Sequence, residues 1–88
     1  MAEFSVGFAV YGGLRQGVPG ATEAAIVTNN LKGQLAANPS GVVKINNQTM
    51  GGDPAPGVVK HFGAIVSVDG ALHGFACQEN QTINFSQP

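Results

Sequence analysis

Charge is scarce in this chain, and its scarcity excludes one class of partner. Charged residues make up 10% of the 88 positions, against about 25% in an average globular protein. The net charge is −1, and the four basic residues never stand next to one another. No basic patch is therefore present to bind a phosphate backbone, and we expect no nucleic-acid partner. Weak charge repulsion also favours self-association, so a homo-oligomer is expected.

Cysteine and long apolar runs are scarce as well. Cys77 is the single cysteine, so neither an intramolecular disulfide nor a cysteine-based metal site can form. Glycines and polar residues interrupt every apolar run well before about 18 positions, which predicts no membrane partner. The first residues carry the acidic Glu3 and lack a long apolar segment of the secretory type. They predict a cytoplasmic chain, or one cut from a longer parent.

Apolar residues are plentiful, at 43% of the chain, and they are arranged for a single folded domain spanning residues 1–88. The alternation from Phe4 to Tyr11 predicts a strand that ends at Gly12-Gly13. Residues 14–22 are rich in turn formers and predict a surface loop. The apolar face predicted for the strand consists of Phe4, Val6, Phe8 and Val10.

Residues 26–37 predict a short helix. Ile26, Leu31 and Leu35 approximate a helical stripe, and Thr28 is positioned to cap its amino end. Asn38 and Pro39 are typical of the sequence just past a helix. Gly33 opposes this prediction, since glycine costs about 1 kcal/mol relative to alanine in a helix.

Asp69-Gly70 is the clearest local signal, because this dipeptide is typical of a two-residue type I′ hairpin turn. The flanking segments HFGAIVSV and ALHGFACQ then pair so that Val68 faces Ala71 and Phe62 faces Cys77. Short strands are also predicted at 42–45 and 81–85. The predicted fold class is α+β, a small and mostly antiparallel β-sheet domain with one short helix. An all-β sandwich is the alternative if residues 26–37 are extended.

Histidine and cysteine do not assemble into a catalytic group. The hairpin register places His61 and His73 on opposite faces, so the two cannot hold one metal ion. His73 is expected in the core, and it lies four residues from Cys77, about 13 Å along the strand. That separation is far beyond the about 3 Å reach of a catalytic base. A buried, inert thiol is therefore the preferred interpretation for Cys77. Glu79, which precedes a predicted turn, is expected to be exposed to solvent.

The segment from Gly51 to Lys60, GGDPAPGVVK, predicts an ordered loop. Its two prolines fix φ near about −65° and its glycines accept positive φ. The carboxylate of Asp53 is placed to bond nearby amides in an Asx-type turn. This structural role is preferred over a catalytic or calcium-binding one.

The motif GDPxPGxxK also carries a family resemblance. Together with Tyr11-Gly12, Val27-Thr28, Leu31 and the following hairpin, it resembles a small domain of unknown function. That domain occurs at the carboxyl end of some DnaJ-type co-chaperones and as a module in bacterial and fungal proteins. The resemblance implies an autonomous module used for packing or binding, with no activity, cofactor or catalytic residues. The motif positions here are Gly52, Asp53, Pro54, Pro56, Gly57 and Lys60.

The sequence therefore predicts a non-enzymatic binding or assembly module, without metal or cofactor. Self-association is expected through sheet edges or through the weakly charged second face of the hairpin sheet. The candidate binding residues are Tyr11, Asp53, Lys60 and His61, with a glycan or a protein as possible ligand. A lectin-like carbohydrate-binding protein is the alternative, prompted by the Asn- and Gln-rich loops and Tyr11.

Overall fold

The computed structural model describes residues 2–88, which fold around a four-stranded sheet. The elements in that range are β1 (Phe4–Leu14), β2 (Thr22–Ile26), α1 (Thr28–Ala37), β3 (Val42–Lys44), β4 (His61–Val68), β5 (Ala71–Gln78) and β6 (Thr82–Asn84). The sheet has the order β2-β1-β4-β5, and β3 pairs with β6 in a separate two-stranded sheet. All pairs are antiparallel. The predicted α+β class is confirmed, and the all-β alternative is wrong because α1 is helical.

The core lies on one face of the four-stranded sheet, called here the inner face. Helix α1 and the β3–β6 pair contribute apolar side chains to it. Phe85 is fully buried, with its ring centroid 4.6 Å from that of Phe75 and edge-on to Phe62 at 6.5 Å. The other largest fully buried side chains are Tyr11, Leu31, Ile45, Val27, Val43 and Val66.

The β4–β5 hairpin has the predicted register. Val68 pairs with Ala71 and Phe62 with Cys77, without a bulge between them. Asp69 and Gly70 take φ values of 51° and 89°, the left-handed pair that a type I′ turn requires. The Asp69 carboxylate also accepts the backbone N–H of Glu3 at 2.8 Å, which ties the turn to the start of β1.

Strand β1 departs from the predicted alternation at Gly7. The register shifts between Val6 and Phe8, and an extra residue in a strand moves every later side chain to the other face. Phe8 and Val10 are therefore 47% and 37% exposed, whereas Ala9 and Tyr11 are fully buried. The prediction that Phe8 and Val10 share the core face with Phe4 was wrong.

The predicted loop at 14–22 was also wrong in extent. β1 continues through Gly12-Gly13 to Leu14, and β2 begins at Thr22. Ile26 ends β2 and is 70% exposed, so it is not part of the helical stripe, while Leu31 and Leu35 are buried as predicted.

Helix α1 begins without the predicted side-chain cap. Val27 occupies the cap position and makes no side-chain cap bond. The Thr28 hydroxyl instead accepts the backbone N–H of Ala9 at 3.1 Å, which joins the helix to β1. No helix within residues 2–88 is long and apolar enough to span a membrane.

The two short strands lie close to their predicted positions. β3 buries Val43, and Ile45 follows it into the core. β6 half-buries Ile83, and the fully buried Phe85 comes directly after its end.

Candidate functional site

The GDPxPGxxK loop forms two successive turns. The Asp53 carboxylate accepts the N–H of Ala55 at 3.1 Å, which is the predicted Asx-type turn. The N–H of Val58 then donates to the carbonyl of Ala55 at 3.3 Å. Pro56 and Gly57, the latter with φ 79°, occupy the two central positions of this turn, as a type II turn prefers. The motif residues therefore specify the path of the loop.

Lys60 fixes the loop from inside. Its side chain is only 4% exposed, and its Nζ lies 3.0 Å from an Asp53 carboxylate oxygen. The same ammonium group donates to the carbonyls of Ala55 and Val58 at 3.2 and 2.8 Å. A buried ammonium group needs such partners, because its loss of hydration is otherwise uncompensated.

Glu79 completes this arrangement, and its expected exposure to solvent was wrong. One carboxylate oxygen lies 3.5 Å from Lys60 Nζ, and the side chain is 17% exposed. The same oxygen accepts the backbone N–H of Lys60 at 2.7 Å. The sequence offered only a weak signal for this contact, since the hairpin register extends to place residue 79 opposite residue 60. We call Asp53, Lys60 and Glu79 the lysine cluster.

The lysine cluster shifts the pKa values of its members in the directions that favour charge. The hydrogen bond from Lys60 holds the pKa of Asp53 below its ordinary value. The hydrogen bond to Asp53 raises the pKa of Lys60, against the opposing effect of desolvation. Both groups therefore stay charged through the neutral range, which suits a structural ion pair and not a proton-transfer group.

Tyr11 is fully buried beside the lysine cluster. Its hydroxyl donates to the Asn47 side-chain oxygen at 2.7 Å. Desolvation, followed by the charge of Glu79, raises its pKa, so the phenol stays neutral. The ring offers no exposed surface on which a sugar could stack, and the glycan-binding prediction therefore loses its aromatic platform.

Replacing Tyr11 with phenylalanine is expected to lower the free energy of unfolding by about 1–3 kcal/mol, because the Asn47 oxygen then loses its donor. Urea denaturation followed by circular dichroism measures the change. The double variant Tyr11→Phe/Asn47→Ala is the control. Its loss should be smaller than the sum of the two single losses, since the two groups bond each other. Additive losses would contradict this coupling.

His61 lies apart from the lysine cluster, on the face of the sheet opposite the core. This face, called here the outer face, has no helix or second sheet over it within residues 2–88. A groove of about 700 Å³ crosses it beside His61, Gly12 and Gly63, with Leu14 and Val59 among its lining residues. Of the four candidate binding residues, the structure thus brings Tyr11, Asp53 and Lys60 together and leaves His61 on another surface.

The outer face is mostly apolar, with serine, threonine and glutamine at its margins, and it carries no lysine, arginine, aspartate or glutamate at any strand position. Its titratable side chain is His61 at one end, and glycine occupies several central positions. The alternation in β1 did not predict the β1 part of this surface, because it placed Phe8 and Val10 in the core. The signal that could have revealed them is Gly7, since a glycine inside a strand often marks a bulge. Its large exposed side chains are Phe8, Val10, Leu14, Ile26, Ile65 and Leu72.

His73 and Cys77 project towards the inner face as predicted, but both are only half-buried. The His73 ring contacts Phe75 edge-on, with ring centroids 6.5 Å apart. Burial raises the pKa of the Cys77 thiol, which lowers its nucleophilicity at neutral pH. Among residues 2–88 no three histidine, cysteine, aspartate or glutamate side chains come together as metal ligands.

Comparison of the chain with protein-family models, with curated proteins and with solved structures finds no match. The resemblance of the GDPxPGxxK segment to the co-chaperone-associated domain stays a prediction.

Proposed function

We propose that this protein is a non-enzymatic assembly module whose outer face binds the outer face of a second copy of the same chain. The observation that carries the proposal is the combination of exposed apolar side chains and absent charge on this face. Phe8, Ile65 and Leu72 are 47%, 51% and 73% exposed. Contiguous apolar surface of this kind usually marks an interaction site.

The second copy is the favoured occupant because the face is self-complementary. In a two-fold interface the same patch of both copies is buried, so every residue of the patch contacts residues of the identical patch on the other copy. Charges on such a patch would often meet like charges, and the outer face has none apart from a histidine at its end. Sheets pack face to face about 10 Å apart through apolar side chains, which this surface supplies.

The size of the outer face is also sufficient. Four strands about 4.8 Å apart and about eight residues long, at about 3.3 Å per residue, give a face of about 500 Å². Two copies together would bury about 1,000 Å², which is the lower limit of a specific interface. A weak, concentration-dependent association is therefore expected from this face alone.

The non-enzymatic part of the proposal rests on what already occupies the polar residues. The ammonium group of Lys60 contacts four oxygen atoms of the fold itself. Tyr11 is committed to Asn47, and the Asp53 carboxylate to Lys60 and Ala55. These groups position the loop, and that role accounts for their contacts without a substrate.

Introducing a lysine at Ile65 or Phe8 is expected to lower the mass of the assembly at a given concentration, because the new charge would be buried in the interface. Sedimentation velocity over a concentration series measures the effect. Val42→Lys is the matched control, since Val42 is 44% exposed but lies in β3, outside the outer face. A wild-type chain that stays monomeric at millimolar concentration, or equal effects of all three lysines, would contradict the proposal.

A further inference from the structure

Strand β5 forms one edge of the four-stranded sheet, and its outward backbone groups have no partner within residues 2–88. Val68 and Ala71 flank a two-residue turn, so they form a hydrogen-bonded pair. Hydrogen-bonded and non-hydrogen-bonded pairs alternate along an antiparallel ladder, so this first pair determines the direction of every backbone group in β5. Residues 71, 73, 75 and 77 thus bond β4. The N–H and C=O groups of Leu72, Gly74 and Ala76 point away from the sheet, and no internal hydrogen bond uses them.

This edge lacks the features that normally prevent strands from pairing between molecules. Edge strands are usually short, bulged, or protected by lysine or proline. β5 is eight residues long, reads ALHGFACQ, and pairs with β4 without a bulge. The opposite edge, β2, has five residues and includes Glu23, whose carboxylate lies 3.7 Å from Arg15. The open edge is therefore β5.

We propose that β5 pairs antiparallel with β5 of a second copy about a two-fold axis at Gly74, which joins two sheets into one of eight strands. The inference rests on the proposed function, self-association, and adds a second interface to it. In this register Gly74 faces Gly74 of the other copy, Leu72 faces Ala76, and His73 faces Phe75. No charged side chains meet, and the crossing point carries no side chain.

The register has a consequence for the outer face. A two-fold axis perpendicular to the sheet keeps the outer faces of both copies on the same side, so the joined face covers about 1,000 Å². Two such faces packed together would bury about 2,000 Å², well within the range of stable interfaces. Edge pairing followed by face packing closes a tetramer with three perpendicular two-fold axes.

Two single substitutions separate the two interfaces. Ala76→Pro removes an outward N–H that the fold itself does not use, and proline is tolerated at such edge positions. We expect sedimentation equilibrium to give a tetramer for the wild type, a dimer for Ala76→Pro, a dimer for Ile65→Lys and a monomer for the double variant. Val42→Lys, in β3 and outside both proposed interfaces, is the control and should leave the mass unchanged.

The outcomes distinguish the inference from the proposed function. An unchanged mass for Ala76→Pro, together with a reduced mass for Ile65→Lys, overturns edge pairing and leaves face packing intact. A reduced mass for Ala76→Pro, together with an unchanged mass for Ile65→Lys, supports edge pairing and overturns face packing. A monomeric wild type overturns both.

Cross-linking tests the register without relying on a proline variant. In a Cys77→Ser background, Gly74→Cys places two cysteines at a hydrogen-bonded cross-strand pair whose Cα atoms are about 5.5 Å apart, a separation that a disulfide spans. The added side chain has open space around it. We expect a covalent dimer on mild oxidation. Leu72→Cys in the same background is the control, because two copies of residue 72 lie about 13 Å apart in this register. Equal cross-linking at both positions would overturn the inference.

Discussion

Replacing Lys60 with methionine is expected to lower the melting temperature by more than about 10 °C. Methionine fills a similar volume but donates no hydrogen bond, so the carbonyls of Ala55 and Val58 lose their donor. The carboxylates of Asp53 and Glu79 lose the cation that lies within 4 Å of both. Removing one partner of a buried ion pair is more damaging than replacing the whole group. Differential scanning calorimetry measures the shift.

Lys44→Met is the matched control for this substitution. Lys44 lies in β3 with its side chain exposed, and surface substitutions of this kind change stability by only about 0.5 kcal/mol. A melting temperature for Lys60→Met that matches Lys44→Met would show that the lysine cluster does not hold the loop.

On acidification, the stability of the wild type and that of Lys60→Met should change in opposite directions. In the wild type the folded-state pKa of Asp53 is lowered, so its contribution is present above about pH 4 and is lost as the pH falls below that value. The folded-state pKa of Lys60 is raised, so its contribution is present below about pH 10 and is lost above it. A plateau is expected between these limits.

In Lys60→Met the hydrogen bond that lowers the pKa of Asp53 is lost, and desolvation then outweighs the backbone hydrogen bond from Ala55. The folded-state pKa of Asp53 is then expected above its ordinary value, so this protein should gain stability as the pH falls towards about 4. Urea denaturation at several pH values measures both slopes. Parallel slopes for the two proteins would contradict the assigned role of the lysine cluster.

The parts of the fold that the sequence predicted well are those set by local chemistry. Asp69-Gly70 accepts the φ values that a type I′ turn requires, and the turn alone fixes the register of β4 and β5. The turns around Asp53 and Gly57 are equally local, because a carboxylate, a proline and a glycine each restrict their own backbone.

The parts that were missed depend on contacts between distant segments. The five-residue strand β2 forms because β1 continues past Gly12 and offers it a partner, with Gly12 opposite Ala24. The bulge at Gly7 inverts the faces of β1, and alternation alone does not report which residue is the extra one, so the glycine is the single local signal of the bulge. The burial of Glu79 follows from the position of Lys60, 19 residues earlier in the chain. Consequently the β1–β2 part of the outer face and the lysine cluster emerged only from the three-dimensional arrangement, whereas the β4–β5 part followed from the hairpin register.

Replacing Gly12 with alanine is expected to lower the free energy of unfolding by more than about 3 kcal/mol. A Cβ at this position would overlap the backbone of Glu23 and Ala24 and would lie 2.6 Å from the Ala24 Cβ. Backbone atoms cannot rotate away, so β2 would have to separate from β1. The separation would also disturb the start of α1, which follows β2 directly and is joined to β1 through Thr28 and Ala9.

The matched control is the same substitution at Gly33, where no atom lies within 4 Å of an added Cβ. Gly33 is an exposed position inside α1, and alanine is the better helix former by about 1 kcal/mol. Gly33→Ala should therefore raise the free energy of unfolding while Gly12→Ala lowers it, as measured by urea denaturation under one condition. A Gly12→Ala protein as stable as the wild type would contradict the close approach of β1 and β2. Because Gly12 and Ala24 line the groove beside His61, the shape of that groove would then differ as well.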